Sequence, residues 1–179
     1  MTAPAGFTHR LATDADIPAL RALMDAAIGE LQRGFLTPEQ IVASRAVMGL
    51  DTQLIADGTY FAVEAGGRLA GCGGWSRRAT LFGGNHTTGR DPALLDPASD
   101  AARVRAMYTS PDFTRRGIGR LILGLCEAAA AAGGFRRVEL AATLSGEPLY
   151  IACGYRAIEP IPVEAEGIEL PLIRMGKPL

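Results

Sequence analysis

Apolar positions along the chain follow two rhythms. Ile17, Leu20, Leu23, Met24, Ala27, Ile28 and Leu31 recur at helical spacing, which predicts a helix from a Thr13–Asp16 capping box to about Gln32, ended by Gly34. Thr37-Pro38-Glu39-Gln40 repeats the start signal, with Pro at the first helical position, and predicts a second helix to about Met48. Phe7–Leu11, Thr59–Glu64 and Leu69–Trp75 read as strands. The last two are joined through Ala65-Gly66-Gly67-Arg68 as an antiparallel hairpin. Ser76 to about Ala101 shows no period, and a stretch that long without structure is often a functional loop. Arg103–Thr109 is strand-like. Ile118, Leu121, Ile122, Leu125, Cys126 and Ala129 then give the cleanest amphipathic helix, stopped by Gly133-Gly134. Arg137–Ala142 is a strand expected to run parallel to the one before that helix, because a helix connects them. Ser145–Cys153 predicts a short helix closed by Gly154, and Tyr155–Ile158 and Ile168–Arg174 predict strands. The order β, αα, ββ, loop, βαβ, α, ββ describes an α/β (α+β) chain, a mixed sheet with helices on its faces.

Composition narrows the class. With 179 residues, 48% of them hydrophobic and 21% charged, the chain suits one globular domain over residues 1–179. Lys+Arg is 18 and Asp+Glu is 19, a net charge of -1, which argues against a nucleic-acid partner. Cys72, Cys126 and Cys153 are far apart and His9 and His86 stand alone, so no metal site is expected. Met1–Phe7 lacks a basic segment followed by an apolar run, and no apolar run approaches the ~18 residues of a membrane span. The expectation is a soluble cytoplasmic protein with no membrane partner.

The chemistry concentrates in Tyr108-Thr109-Ser110-Pro111-Asp112-Phe113-Thr114-Arg115-Arg116-Gly117-Ile118-Gly119-Arg120. A strand leads through a turn and a Gly-x-Gly loop into the long helix. The first helical N–H groups lack an intrahelical acceptor, and the helix dipole adds positive charge there. Gly117 and Gly119 let a phosphate approach the backbone, and Arg115, Arg116 and Arg120 add full charges. A diphosphate suits such a place. Ile122 stands where a dinucleotide fingerprint needs a third small residue, and no Walker lysine follows the loop.

Thr114-Arg115-Arg116-Gly117-Ile118-Gly119 resembles the R/Q-x-x-G-x-G/A signature of the GNAT N-acetyltransferase superfamily, with Thr114 where that family prefers Arg or Gln. Leu149-Tyr150-Ile151-Ala152-Cys153-Gly154-Tyr155 resembles its L-Y-x-x-x-G-F/Y motif, and Thr143 stands where the family often carries Asn. The resemblance covers roughly residues 7–158. It implies a mostly antiparallel sheet of six or seven strands with about four helices. It also implies that acetyl-CoA binds along Met107, Tyr108 and Thr109 and over residues 114–120, with CoA as product. The reaction implied is direct attack by a primary amine of a small molecule on the acetyl thioester in a ternary complex. Tyr150 would protonate the departing thiolate, since a phenol with a pKa near 10 keeps its proton at neutral pH. A strand N–H of Tyr108 or Thr109 would stabilise the carbonyl oxygen. A homodimer is a further implication.

Other roles come from position. Glu139 and Glu64 are candidate bases acting through water, Glu139 lying in the strand beside the expected acetyl site. Gly71, Gly73 and Gly74 would let a ligand or backbone approach, with Trp75 as an apolar wall, Arg77 and Arg78 for an acceptor carboxylate, and His86 at the loop tip. Cys126 reads as a buried thiol, and Cys153 falls three residues after Tyr150. Two other readings remain, a non-catalytic acyl-CoA-binding module on the same fold and a phosphate-loop protein for another nucleotide.

Overall fold

The computed structural model describes residues 6–179. Met1–Ala5, which open the stretch read for an export signal, lie outside the described residues. In chain order the elements are β1 (Thr8–Leu11), α1 (Ile17–Leu31), α2 (Pro38–Ser44), α3 (Thr52–Ala56), β2 (Tyr60–Ala65), β3 (Arg68–Ser76) and β4 (Ala102–Thr109). They continue with α4 (Ile118–Ala132), β5 (Arg137–Thr143), α5 (Glu147–Ala152), β6 (Arg156–Ala165) and β7 (Ile168–Pro178). The strands form one sheet in the order β1-β2-β3-β4-β5-β7-β6. Every neighbouring pair is antiparallel except β4 and β5, whose connection runs through α4.

Local chemistry accounts for the boundaries. The Asp16 carboxylate accepts the Thr13 N–H at 2.7 Å and holds a short 3-10 turn ahead of α1. At α2, Gln40 N–H donates to the Thr37 hydroxyl and Thr37 N–H to the Gln40 side chain. That helix ends at Ser44 rather than near Met48, because three-residue backbone bonds from Ala46 and Val47 tighten the chain into turns. Gly66 and Gly67, both at positive φ, close the β2–β3 hairpin. α3 was not expected from the apolar pattern. It has five residues, too few to show a period, and is capped by Asp51 through the Gln53 N–H.

β6 and β7 are longer than the pattern predicts, since Pro160, Pro162 and Pro171 break a strand reading. Their places excuse them. β6 is an edge strand, and Pro171 lies one residue beyond Leu172, where β5 pairing stops.

The sheet separates two helical layers. α4 and α5 cover one face, where Val104, Ile122, Cys126, Val138, Leu140 and Met175 share a core. α1 and α3 cover the other with Leu20, Leu54, Tyr60 and Cys72. α2 lies lower on that second face, with Val47, Val163 and Leu172. The three β3 glycines have a packing reason. A Cβ on Gly71 would lie 2.5 Å from Ile118 Cγ2, one on Gly73 2.6 Å from Ile122 Cγ2, and one on Gly74 2.6 Å from the Thr59 carbonyl. The close neighbours belong to α4, to β4 and to the start of β2, so the glycines serve element packing and not the approach of a ligand.

Candidate active site

β4 and β5 pair at two positions, Ala102↔Val138 and Arg103↔Glu139, and then diverge. The wedge between them opens a cleft of about 860 Å³ lined from both faces of the sheet. On the α4 side it meets the glycine loop and α5. On the α1 side it meets α1, the segment after α2 and the 77–101 loop.

Thr114, Arg115, Gly117, Ile118, Gly119 and Arg120 line the first compartment. Arg115 and Gly117 have φ of 58° and 84°. Left-handed residues interleaved with ordinary ones give the backbone of an anion-binding nest. The first intrahelical bond of α4 runs from Leu121 N–H to the Gly117 carbonyl at 3.0 Å. The amides of Ile118, Gly119 and Arg120 therefore have no acceptor within the helix. Gly119 is small for another reason as well, since a Cβ there would meet Leu149 Cδ2 at 2.7 Å. Arg116 is not part of the lining. Its guanidinium stacks 5.1 Å from the Phe7 ring and 5.3 Å from that of Phe113, which holds the loop down from behind.

Met107, Tyr108 and Thr109 line the wedge from β4. Between the Cys72↔Tyr108 and Gly74↔Arg105 pairs, β4 carries one residue more than β3, a β-bulge. Within it Ala106 sits at φ 51°, and its carbonyl accepts the Tyr60 hydroxyl at 2.7 Å. The bulge re-aims the strand edge that β5 has released. The Tyr108 hydroxyl accepts the Gly49 N–H at 3.0 Å and so ties the α2–α3 segment to the cleft wall.

Tyr150 reaches the wedge from α5 and is 9% exposed. Burial raises its phenol well above the ordinary value, with smaller contributions from Cys126 and Cys153. Across from it runs a chain of neutral polar groups. The Thr143 and Ser145 hydroxyls lie 3.1 Å apart, and Ser145 donates to Gln32 Oε1 at 3.0 Å. Gln32 and Ser145 escaped the sequence reading because they lie 113 residues apart and match no motif.

Several expected residues lie elsewhere. Glu139 is outside the cleft lining. Its carboxylate accepts Arg103 from β4 and both Nε and Nη2 of Arg174 from β7 at 2.9 and 2.7 Å, so it braces the closed end of the wedge. Glu64 pairs with Arg10 at 2.8 Å on the sheet edge. Trp75 points to the α4 face and packs edge-on against Phe135 at 6.0 Å. Strand alternation turns it away from the α1 side of the sheet. Arg77 is exposed and outside the lining, while Arg78 is bound to Asp57 at 2.7 Å. His86 stands one shell behind the wall, its Nε2 2.9 Å from the Arg45 carbonyl and its ring against Gly49. Cys153 does not line the cleft. Cys72 and Cys126 are buried, and burial pushes the Cys72 thiol up to about 12 and that of Cys126 higher still.

Arg105 was not foreseen. It lines the α1-side compartment and donates to Asp51 and to the Gly83 carbonyl, both at 2.6 Å. Asp51, 0% exposed, also accepts Arg90 at 2.6 Å. This group clamps the 77–101 loop to β4.

Solved structures share this architecture. A crystal structure described as a GCN5-related N-acetyltransferase, aminotransferase class II, from Rhodopseudomonas palustris superposes with a TM-score of 0.73 at 19% identity, covering 100% of this chain and 99% of that one. PaiA N-acetyltransferase from Thermoplasma acidophilum in complex with coenzyme A gives 0.65 at 13% identity, covering 97% and 99%. Ribosomal-protein-alanine N-acetyltransferase from Brucella melitensis gives 0.64 at 18%, covering 96% and 99%. No curated protein sequence matches. Among the described residues no helix is long and apolar enough to cross a membrane. The family model of the acetyltransferase (GNAT) family matches residues 21–155, a span that takes in the split strands, the glycine loop and Tyr150, and the chain belongs to that family of acetyl-CoA-dependent acetyltransferases.

Proposed function

We propose that the protein transfers an acetyl group from acetyl-CoA to a primary amine of a small molecule, by direct attack in a ternary complex. The observation that carries this is the two-sided wedge. Its α4 side offers unpaired amides, Arg115 and Arg120, and its α1 side offers an apolar chamber, with Tyr150 and the open edge of β4 between them. The orphan amides and the nest at Arg115 and Gly117 fit the diphosphate of acetyl-CoA. The released edge of β4 at Met107, Tyr108 and Thr109 fits its amide-bearing arm, since both partners carry alternating donors and acceptors. Acetyl-CoA supplies the activated acyl group. Tyr150 holds a proton at its hydroxyl for the leaving thiolate, and an N–H of the β4 edge meets the charge that develops on the carbonyl oxygen. The acceptor amine loses its proton to water, for no carboxylate or imidazole belongs to the lining among the described residues. The same reading places the protein in the cytoplasm, which accords with its three free cysteines.

Two measurements test the proposal together. Acetyl-CoA at ~100 times its dissociation constant is expected to add about 2.7 kcal/mol of stability, read as a rise in Tm, with NAD and ATP giving no such rise. A thiol-trapping assay over a panel of amines is expected to show CoA release dependent on the amine. A Tm shift without release from any amine would mark a binding module instead.

A further inference from the structure

The α1-side chamber narrows the choice of amine. Its walls are apolar, formed by Ile28 and Leu31 of α1, Phe35 beyond it, Val47 after α2, Phe82 of the long loop and Leu172 of β7. Of its polar members, Gln32, Thr143 and Ser145 are neutral and bonded to one another, and Arg105 is tied to Asp51. The titratable groups facing the cleft can be taken element by element. β4 presents Arg105 and Tyr108, the glycine loop and α4 present Arg115 and Arg120, and α5 presents Tyr150. α1, the α2–α3 segment, the 77–101 loop, β5 and β7 present none among the described residues.

Two carboxylates on the adjoining elements are already engaged. Asp51 is fully buried behind Arg105, with one oxygen on Arg105 and the other on Arg90. Glu139, two residues before Ala141 on the same face of β5, is held by Arg103 and Arg174. An ammonium entering the chamber would therefore lose its water and meet Arg105 with no free carboxylate beside it. A neutral amine meets neither obstacle.

We infer that the acceptor is a weakly basic primary amine on an apolar body, one with a substantial neutral fraction near pH 7.5. An α-amino group with its carboxyl masked as an amide has this property, as does an amine attached directly to an aromatic ring. Polyamines and simple alkylamines do not. The inference rests on the acetyltransferase reading above and specifies its substrate class. An α-amino group has a pKa of about 7.7–8.0 and a lysine-type amine about 10.4, which separates their neutral fractions by more than ~10²-fold at pH 7.5.

The test measures kcat/KM by thiol release for phenylalaninamide, aniline, 2-phenylethylamine and spermidine. At pH 7.5 at least one of the first two is expected to exceed the last two by tenfold or more, and which one does so tells the α-amino source from the ring amine. The phenylethylamine value should rise about tenfold per pH unit up to about pH 9, following its neutral fraction. Phe35→Glu, at a residue 48% exposed on the chamber wall, puts a carboxylate at the mouth without disturbing the core. It should shift the ratio toward phenylethylamine at least threefold. Spermidine or phenylethylamine equalling the weak bases at pH 7.5, or a ratio untouched by Phe35→Glu, would overturn the inference and leave the acetyltransferase reading standing. No release from any of the four would overturn the inference, and no release across the wider amine panel with acetyl-CoA still raising Tm would overturn the acetyltransferase reading as well.

Discussion

Tyr150 is the residue on which the proposed chemistry turns. It is buried, it belongs to the cleft lining, and its phenol is raised by desolvation, so it keeps its proton beyond the ordinary tyrosine range near 10. Tyr150→Phe keeps the ring and removes the proton. The expected result is a fall in kcat of about 10²-fold or more with the KM for acetyl-CoA changed less than threefold, measured by steady-state thiol release. The sign of the pKa shift gives a companion outcome for the native enzyme. A raised phenol remains an acid as pH climbs, so kcat should show no fall up to pH 10. A descending limb centred near pH 9 would assign the proton to another group. Arg116 shows that residue type alone leaves a side chain's partners open, since its guanidinium lies over two phenylalanine rings and outside the cleft lining.

At the scale of elements, the packing of α4 on β3 sets the position of the glycine loop. Gly71 and Gly73 let the helix come so close that a methyl group on either would overlap a buried isoleucine. Gly73→Ala is expected to cost about 1–3 kcal/mol in denaturant unfolding, since Ile122 has no room to retreat. Because α4 carries the orphan amides at its first turn, the same variant should raise the KM for acetyl-CoA severalfold. What could be read from sequence follows the same logic. α1, α4, the β2–β3 hairpin and the parallel β4–α4–β5 unit were legible because each has a period, a cap or a turn of its own. The glycine loop and Tyr150 were legible because their residue types and spacing are local. α3 was too short to show itself, and the full length of β6 and β7 hid behind prolines that the sheet edge at β6 and the unpaired flank of β7 beyond Leu172 tolerate. The α1-side chamber was not legible at all. Gln32, Phe82, Arg105 and Ser145 meet there from four separate segments, while Trp75, beside the glycines, turns to the opposite face.

For the whole molecule, the buried cluster of Asp51, Arg90 and Arg105 joins α3, the 77–101 loop and β4. A long loop without regular structure is fixed in this way over one wall of the cleft. Asp51→Ala leaves two guanidinium groups without their carboxylate, one of them buried, and is expected to lower stability by about 3–5 kcal/mol in denaturant unfolding. The sheet itself is two half-sheets, β1-β2-β3-β4 and β5-β7-β6, joined by two residue pairs. Such a joint has the fewest paired residues of any in the sheet, and it coincides with the place where the reaction is proposed to occur. An extended ligand lying in the gap would act as the missing rung of a ladder, lending its own amides to a strand that protein leaves half-zipped. Substrate recognition and the mechanical unity of the two halves would then be one event, with the donor serving for as long as it stays as a piece of the scaffold.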